Sequence, residues 1–244
     1  MEKRLAIVTI CFNDKEGLAR TFASVFAQDM RDLQYVVIDG GSIDGSVQLI
    51  EAHADRIDKW TSEPDRGIYH AQNKGWYTAD ATFVLFLNAG DVLDAPDVIA
   101  RTMPYLTDDV DIAYGDVRLS GGARAGEVKM HPERMTGGYL MKEVVAHASQ
   151  FIRRSLLERH EGYDEQYRIA ADYAFFAKAF WVQHARMRKV PFVVSRFDMG
   201  GLSSDPTQEQ AVADERVSIQ RRYAPWIWFK VYHGYAWLNR LFGR

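Results

Sequence analysis

The apolar run Phe83-Val-Leu-Phe-Leu87 stops abruptly in Asn88-Ala-Gly-Asp91, a small turn that ends on a carboxylate. An apolar run bounded by a turn fits a strand buried on both faces, the habit of parallel sheets covered by helices. Ligands of such sheets bind outside the carboxyl ends of the strands, which puts Asp91 where a ligand is expected. Tyr35-Val-Val-Ile-Asp39, followed by Gly40-Gly-Ser-Ile-Asp-Gly-Ser46, has the same form. Two strands are therefore expected to deliver acids to one edge of one sheet.

The rest of the chain extends this pattern. Leu5 to Phe12 is a continuous apolar run, and Asn13-Asp14 can cap a following helix in which Leu18, Phe22, Val25 and Phe26 recur at helical spacing. Asp44-Gly-Ser46 signals a turn and cap before Val47, Ile50 and Ile57 on a second helical stretch. Strand, helix, strand, helix implies parallel pairing with right-handed crossovers. Trp60 to Gly67 is expected to be a loop, punctuated by Pro64 and Gly67, with a helix over Ile68 to Thr78 after it.

Beyond the central run, the pattern predicts a helix from Pro96 to Leu106, a strand from Asp111 to Leu119 and a hairpin-like turn at 120–124. A buried, aromatic-rich helix from Ile169 to Val182 and a last strand from Val190 to Phe197 follow. The hairpin marks a change from parallel to antiparallel pairing, so the first half binds one ligand and the second half completes the cleft.

With 47% hydrophobic and 26% charged residues among 244, the chain can bury a substantial core. Its formal charge of -3 argues against a nucleic-acid binder, whose footprint would be basic. Cys11 is the only cysteine, which excludes an intramolecular disulfide and a cysteine metal cluster. Met1-Glu-Lys-Arg4 runs directly into a strand too short to span a bilayer and lacks a signal-type cleavage region, so the protein is expected in the cytoplasm.

Asp39, Asp44, Asp65, Asp91 and Asp172 follow apolar runs or sit among small and apolar neighbours. Taken singly, each reads as a helix cap or a solvated acid. Converging on one sheet edge, they suit a hard divalent cation or ribose hydroxyls. There is no G-x-G-x-x-G after the first strand, no phosphate loop, no G-x-S-x-G elbow and no H-E-x-x-H. These absences set aside dinucleotide-binding folds, P-loop enzymes, α/β-hydrolases and zinc peptidases.

Four ordered motifs carry a family resemblance. Thr9-Ile-Cys-Phe-Asn13, Val37-Ile-Asp-Gly-Gly-Ser-Ile-Asp-Gly-Ser46, Ser62-Glu-Pro-Asp-Arg-Gly-Ile-Tyr69 with Asn73-Lys-Gly75, and Phe86-Leu-Asn-Ala-Gly-Asp91 resemble, in order and spacing, the family 2 glycosyltransferases. The match covers roughly residues 5–200. It implies a GT-A fold, with a mixed, mostly parallel central sheet flanked by helices and a C-terminal helical tail. Residues 1–204 would form a single catalytic domain, with a donor-binding half over about 1–119 and an acceptor half over about 120–204. Residues 205–244 would form a helical, basic and aromatic extension.

The resemblance implies a nucleotide-sugar donor. Thr9 and Asn13 would lie beside the nucleotide, Asp39 would accept hydrogen bonds from base or ribose, Asp65 would contact the base, and Arg66 would reach the base or a phosphate. Asn88-Ala-Gly-Asp91 stands where the family has its D-x-D metal motif, with Asn88 in place of the first acid. Asp91 is then the expected ligand of Mg²⁺ or Mn²⁺, with Asn88 or water completing an oxygen shell around the diphosphate. Asp172 matches the acid near a helix start that serves as general base, although Ala171 precedes it where the family has an acid. His147 and Gln150 resemble an acceptor-lining segment, and Gly201 and Ser203 a mobile loop near the diphosphate.

Residues 221–244 hold five Lys or Arg, no acid and eight aromatic residues. Basic side chains among aromatic rings suit a membrane interface, where each basic residue near an anionic surface contributes about 1 kcal/mol. The other reading is a terminal helix packed on the domain or a self-association surface. An interfacial tail would place the enzyme peripherally on the inner face of the cell membrane.

The sequence thus points to an inverting hexosyltransferase that moves a sugar, UDP-linked by preference, to a hydroxyl of a glycan or lipid-linked acceptor in surface polysaccharide biosynthesis. A nucleotidyltransferase of similar sheet topology and a degenerate nucleotide-sugar-binding module, the latter prompted by Asn88 and Ala171, are the alternatives.

Overall fold

The computed structural model describes residues 3–30, 32–201 and 206–242, the side chains of Pro206 and of residues 235–242 excepted. The first half runs β1 (Lys3–Cys11), α1 (Lys15–Phe26), β2 (Gln34–Asp39), α2 (Ser46–Glu51), β3 (Lys59–Ser62), α3 (Ile68–Thr78), β4 (Ala81–Phe86), β5 (Val92–Leu93) and α4 (Val98–Thr102). The second half continues as β6 (Ile112–Ser120), β7 (Val128–Lys129), α5 (Gly137–Lys142), β8 (Gln150–Arg153), α6 (Arg154–His160), α7 (Ala171–Trp181) and β9 (Met187–Asp198). Two helices follow, α8 (Glu209–Tyr223) and α9 (Trp226–Phe242).

All these strands join one mixed sheet in the order β3-β2-β1-β4-β8-β6-β9-β5, with β7 paired to β6. β3, β2, β1 and β4 are mutually parallel, as the alternation of strand and helix requires. β8 then enters antiparallel between β4 and β6, so the second half is stitched to the first through the strand that ends beside Asn88. That junction brings residues from the two halves to the carboxyl end of β4.

Side chains alternate between the two faces of the sheet. Val8, Ile38, Trp76, Phe86, Tyr114 and Phe176 belong to one core, while Leu5, Leu18, Phe22, Tyr35, Phe83 and Phe151 belong to the other. The first core seats α3 directly on β1 through Gly75, where an added Cβ would fall 2.2 Å from Val8 Cγ1. No larger residue fits that contact without displacing α3.

Several elements differ from the sequence-based expectation. The predicted loop from Trp60 to Gly67 begins as β3, which pairs with β2 from Val36↔Lys59 to Asp39↔Ser62. As an edge strand it needs only one partner, and its mostly exposed residues give no apolar run. The predicted helix from Pro96 to Leu106 contracts to α4 and a 3-10 turn at Met103–Tyr105, where Pro104 supplies no backbone N–H. Ile57 lies beyond α2, after a 3-10 turn over Ala54–Arg56. β9 starts earlier than expected because Met187, Arg188 and Lys189 pair with Ile112, Ala113 and Tyr114 although the two basic residues break the apolar run, and Pro191 falls at a register shift between the pairings with Tyr114 and Asp116.

The C-terminal helices rest on the domain through a few polar anchors. Ile219 and Gln220 of α8 are buried; Gln220 Nε2 donates to the Met141 carbonyl at 3.1 Å, and its Oε1 lies 2.8 Å from His233 Nε2 of α9. Tyr223 and Tyr232 pack against the core, whereas Trp226, Ile227 and Val231 face outward. Among the described residues no helix is long and apolar enough to cross a membrane.

Candidate functional site

The turn after β4 is fixed by backbone bonds to β1 and by one buried hydroxyl. Leu87 and Ala89 donate their N–H groups to the carbonyls of Val8 and Ile10, both at 2.9 Å. Thr21 of α1 donates to the Asp91 carbonyl at 2.7 Å and accepts the Gly90 N–H at 3.1 Å. Gly90 holds φ at +96°, and a Cβ there would lie 2.8 Å from Asp198 Oδ2. This confinement aims Asp91, only 3% exposed, at the end of the sheet.

One carboxylate oxygen of Asp91 accepts the backbone N–H of Asp198 at 2.8 Å, tying the turn to the end of β9. The other lies 3.3 Å from His147 Nε2. The same imidazole places Nδ1 3.7 Å from Asp172 Oδ2, so His147 stands between the two acids singled out in the sequence. Burial opposes a charge on His147, but the neighbouring carboxylates of Asp172 and Asp91 outweigh it and push its pKa up to about 9. At neutral pH the cleft thus holds an imidazolium between two carboxylates.

Asp172 sits in the first turn of α7. Its Oδ1 accepts the Tyr173 N–H at 2.8 Å and faces the Tyr69 hydroxyl at 3.1 Å, while that hydroxyl also donates to the Ile169 carbonyl at 2.5 Å. Burial, followed by the charge of Asp172, raises the Tyr69 phenol well above its usual pKa, so it remains a donor. From α8, Glu215 accepts the N–H groups of Arg168, Ile169 and Ala170 at 2.7, 3.0 and 2.8 Å. A carboxylate across three successive amides clamps the segment that leads into Asp172.

Asn88 completes this cluster. Its amide lies 3.0 Å from both the Gln72 amide and His147 Nε2; an imidazolium only donates, so Asn88 turns its oxygen to the ring and its NH2 to the otherwise unpartnered Gln72 Oε1. A cleft of ≈ 370 Å³ collects Asn88, Asp91, His147, Asp172 and Gly201, with Arg20 on its wall. Arg20 is paired with Asp198 at 3.2 Å. Four residues named from widely separated motifs therefore share one space with Gly201, while Ser203 lies outside the described residues.

A second group gathers at the ends of β1 and β2. Asp39 is fully buried, and its Oδ2 accepts the N–H groups of Gly41 and Ser42 at 3.0 and 2.9 Å and the Ser62 hydroxyl at 2.7 Å. Its Oδ1 has no hydrogen-bond partner within the protein. Asn13, at φ +50°, accepts the Ile43 N–H at 2.9 Å and locks the loop after β1 to the loop after β2. Asp65 accepts the Gly67 N–H at 2.8 Å, and its carboxylate lies against Gly40, where an added Cβ would be 2.5 Å from Oδ2.

Three of the residues named from the sequence meet partners within the protein. Thr9 is fully buried and its hydroxyl is 3.0 Å from the Tyr35 hydroxyl, so its side chain braces β1 against β2 and does not face a ligand. Arg66 does not line the cleft of Asp91 and Asp172; its largely exposed guanidinium pairs with Glu165 at 2.9 Å. Gln150 is buried and donates to the Val145 carbonyl at 2.7 Å, so it shapes the segment carrying His147 without meeting an acceptor.

Sequence reasoning missed Phe12, Tyr69, Gln72 and Glu215. Phe12 is 63% exposed beside Gly40, and an exposed aromatic directly after an apolar strand was its available signal. Tyr69 closes the Ser62–Tyr69 motif, which was its available signal, whereas Gln72, one turn on along α3, has no distinguishing local pattern. Glu215 acts on residues far from it in sequence, which no local motif records.

Among the described residues no cluster of three or more His, Cys, Asp or Glu is placed to hold a metal ion. Asp91 and Asn88 nonetheless bring carboxylate and amide oxygens to the cleft, the donor type that hard cations take.

Comparison with known proteins agrees with this geometry. The model of glycosyl transferase family 2 matches residues 6–183. An uncharacterized glycosyltransferase of Mycobacterium tuberculosis is 33% identical over 239 residues, which cover 95% of this chain and 89% of that protein. A PGL/p-HBAD biosynthesis glycosyltransferase of Mycobacterium bovis is 29% identical over 205 residues, 82% of this chain and 78% of its own. Among solved structures, the mannosyltransferase PcManGT of Pyrobaculum calidifontis, in complex with GDP-Man and Mn²⁺, aligns with a TM-score of 0.71 at 19% identity over 98% of this chain and 70% of that one. TarS of S. aureus in complex with UDP aligns with a TM-score of 0.66 at 16% identity, over 91% of this chain and 67% of that one.

Proposed function

The chain belongs to glycosyl transferase family 2 and has a GT-A fold, and from that premise we propose that it is an inverting hexosyltransferase. Its donor is a nucleoside diphosphate sugar, with a UDP-sugar favoured, and its acceptor is a hydroxyl of a glycan or lipid-linked sugar in surface polysaccharide or glycolipid assembly. The observation that carries this reading is the convergence of Asp91 and Asp172 on one cleft, with His147 between them.

The nucleoside lies across the ends of β1 and β2. The unpartnered, buried Oδ1 of Asp39 requires a donor, which a base N–H or a ribose hydroxyl supplies. Asp65 faces the base, Phe12 offers it an aromatic face, and Asn13 holds the two loops together. The diphosphate then runs toward Asn88 and Asp91, with Gly201 beside it.

In the transfer step, Asp172 takes the proton of the acceptor hydroxyl as that oxygen bonds to the anomeric carbon. The bond from that carbon to the diphosphate oxygen breaks on the opposite side, its electron pair leaves with the nucleoside diphosphate, and the configuration inverts. Tyr69, the Tyr173 N–H and the Glu215 clamp hold the base in place. Arg20 and His147 are the cationic groups of a cleft that also carries Asp14, Asp91, Asp172 and Asp198, so a departing diphosphate there calls for a divalent cation as well. A divalent Mg²⁺ or Mn²⁺ held by Asp91 would neutralise the departing diphosphate.

The outward face of α9 supports a further part of this reading. Trp226, Ile227 and Val231 are exposed beside Arg221, Arg222 and Lys230, a pattern that suits the headgroup layer of an anionic membrane. Peripheral attachment there would bring the cleft to lipid-linked acceptors.

The reading is tested by measuring nucleoside diphosphate release from UDP-, GDP- and dTDP-sugars, with and without Mn²⁺. Release from one donor class, increased by the metal, is expected. Release of pyrophosphate, or no release from any donor, contradicts it.

A further inference from the structure

A second hollow, of ≈ 230 Å³, shares His147, Ile169, Asp172 and Phe197 with the donor-side cleft. Asp172 is therefore reachable from both spaces. Val117 and Leu119 of β6, Val144 and Val212 of α8 build the apolar part of the hollow. Arg124, Lys129 and Arg216 complete it, and Asp172 is its one acid among the described lining residues.

The three cations are not equally satisfied. Arg124 pairs with Glu127 at 2.8 Å and Lys129 with Glu143 at 3.1 Å. Arg216 donates to the Lys142 carbonyl at 2.8 Å and lies over the Tyr173 ring at 5.2 Å, and among the described residues it has no carboxylate partner. Val212 and Arg216 are one helical turn apart on α8, so one face of that helix presents an apolar side chain and a free positive charge to the same hollow.

This lining discriminates between acceptor types. A sugar could hydrogen-bond the polar side of the hollow, but the hydroxyls it turned to Val117, Leu119, Val144 and Val212 would lose their hydration without replacement. An aryl or alkyl group loses nothing polar there, and an anion beside it answers the charge of Arg216 in the bidentate manner that guanidinium favours.

We propose that this hollow is the acceptor subsite and that its occupant is an amphiphile, with an apolar aryl or alkyl group close to the accepting hydroxyl and a phosphate or carboxylate anion paired with Arg216. The proposal rests on the transferase reading above and adds the chemical class of the acceptor. It also gives α8 a share in substrate choice, since Val212 and Arg216 both come from that helix.

Binding to the full-length protein, held with saturating UDP or GDP and Mn²⁺ to keep probes off the diphosphate site, tests the proposal by calorimetric titration. Phenyl phosphate and benzoate are compared with inorganic phosphate and methyl glucoside; the first two also separate a phosphate from a carboxylate preference. At least one aryl anion is expected to bind tenfold or more tighter than either control, and Val212→Asp and Arg216→Gln each to weaken it at least fivefold with unchanged circular dichroism. Equal binding of aryl anion and controls, or wild-type affinity in a folded Arg216→Gln variant, overturns the proposal. The preceding nucleotide titration separates the two readings: nucleotide binding without aryl-anion binding removes only the acceptor class, whereas no nucleotide binding removes the donor reading itself.

Discussion

Glu215 accepts the backbone N–H of Ala170 at 2.8 Å, two residues before Asp172. Together with its bonds to the amides of Arg168 and Ile169, this makes α8 the outer support of the proposed base. Glu215→Gln keeps the shape but replaces charge-assisted acceptance by a neutral amide, at a cost of about 1–2 kcal/mol. The expected result is a kcat reduced about tenfold with donor KM unchanged. A purely structural role would instead lower Tm and leave the kcat of the folded fraction intact.

The contact of Gly75 with Val8 makes a separate prediction about stability. Gly75→Ala gains roughly 1 kcal/mol in helix propensity but forces a methyl into a space where Val8 already stands, which typically costs about 1–3 kcal/mol. Urea unfolding should show a net loss, and adding Val8→Ala should recover part of it. Additive losses in the double variant would contradict direct contact.

Three histidines shape the dependence of stability on pH. Burial, then the charges of Lys129 and Lys189, lowers the pKa of His131 to about 3; burial is also the main cause that lowers His160 to about 4. Both take up protons more readily when unfolded, so their stability contribution is present above about 6.5 and is lost as pH falls toward those values. His147, raised to about 9, acts oppositely: its contribution is full below about 6.5 and disappears as pH rises through 9. Urea unfolding from pH 4 to 9 should therefore show a maximum near pH 6.5, with limbs of up to about 1.4 kcal/mol per pH unit for each buried group. His147→Gln should flatten the alkaline limb alone.

The exposed face of α9 can be tested without disturbing its packed face. Trp226→Ser and Ile227→Ser alter outward side chains, which should change folding stability by no more than about 0.5 kcal/mol. Sedimentation with anionic vesicles should fall at least tenfold in the double variant and in high salt. Equal sedimentation of variant and parent would remove the membrane from the proposal.

Much of the parallel half was legible because β1, β2 and β4 are uninterrupted apolar runs that stop on turn residues. β3 escaped because an edge strand needs no apolar run, and β8 because its few residues resemble the tail of a loop. At the site, Asn88, Asp91, His147 and Asp172 do share a cleft, since each lies at the end or start of an element that the sheet order brings together. Thr9, Arg66 and Gln150 meet partners that no local motif records: Tyr35, Glu165 and the Val145 carbonyl. Glu215 shows the same limit from the other side, because its role exists only once α8 has docked.

The central claim is that Asp172 is the base of a sugar transfer from a nucleotide donor bound beside Asp91. Asp172→Asn is nearly isosteric and keeps the hydrogen bonds of Oδ1, but it cannot take a proton. The decisive measurement is transfer by wild type and Asp172→Asn with the donor that the nucleotide-release assay selects, alongside calorimetric titration of that donor. A loss of at least a hundredfold in kcat with donor affinity within twofold of wild type is predicted. Near-normal turnover in the variant would contradict the account.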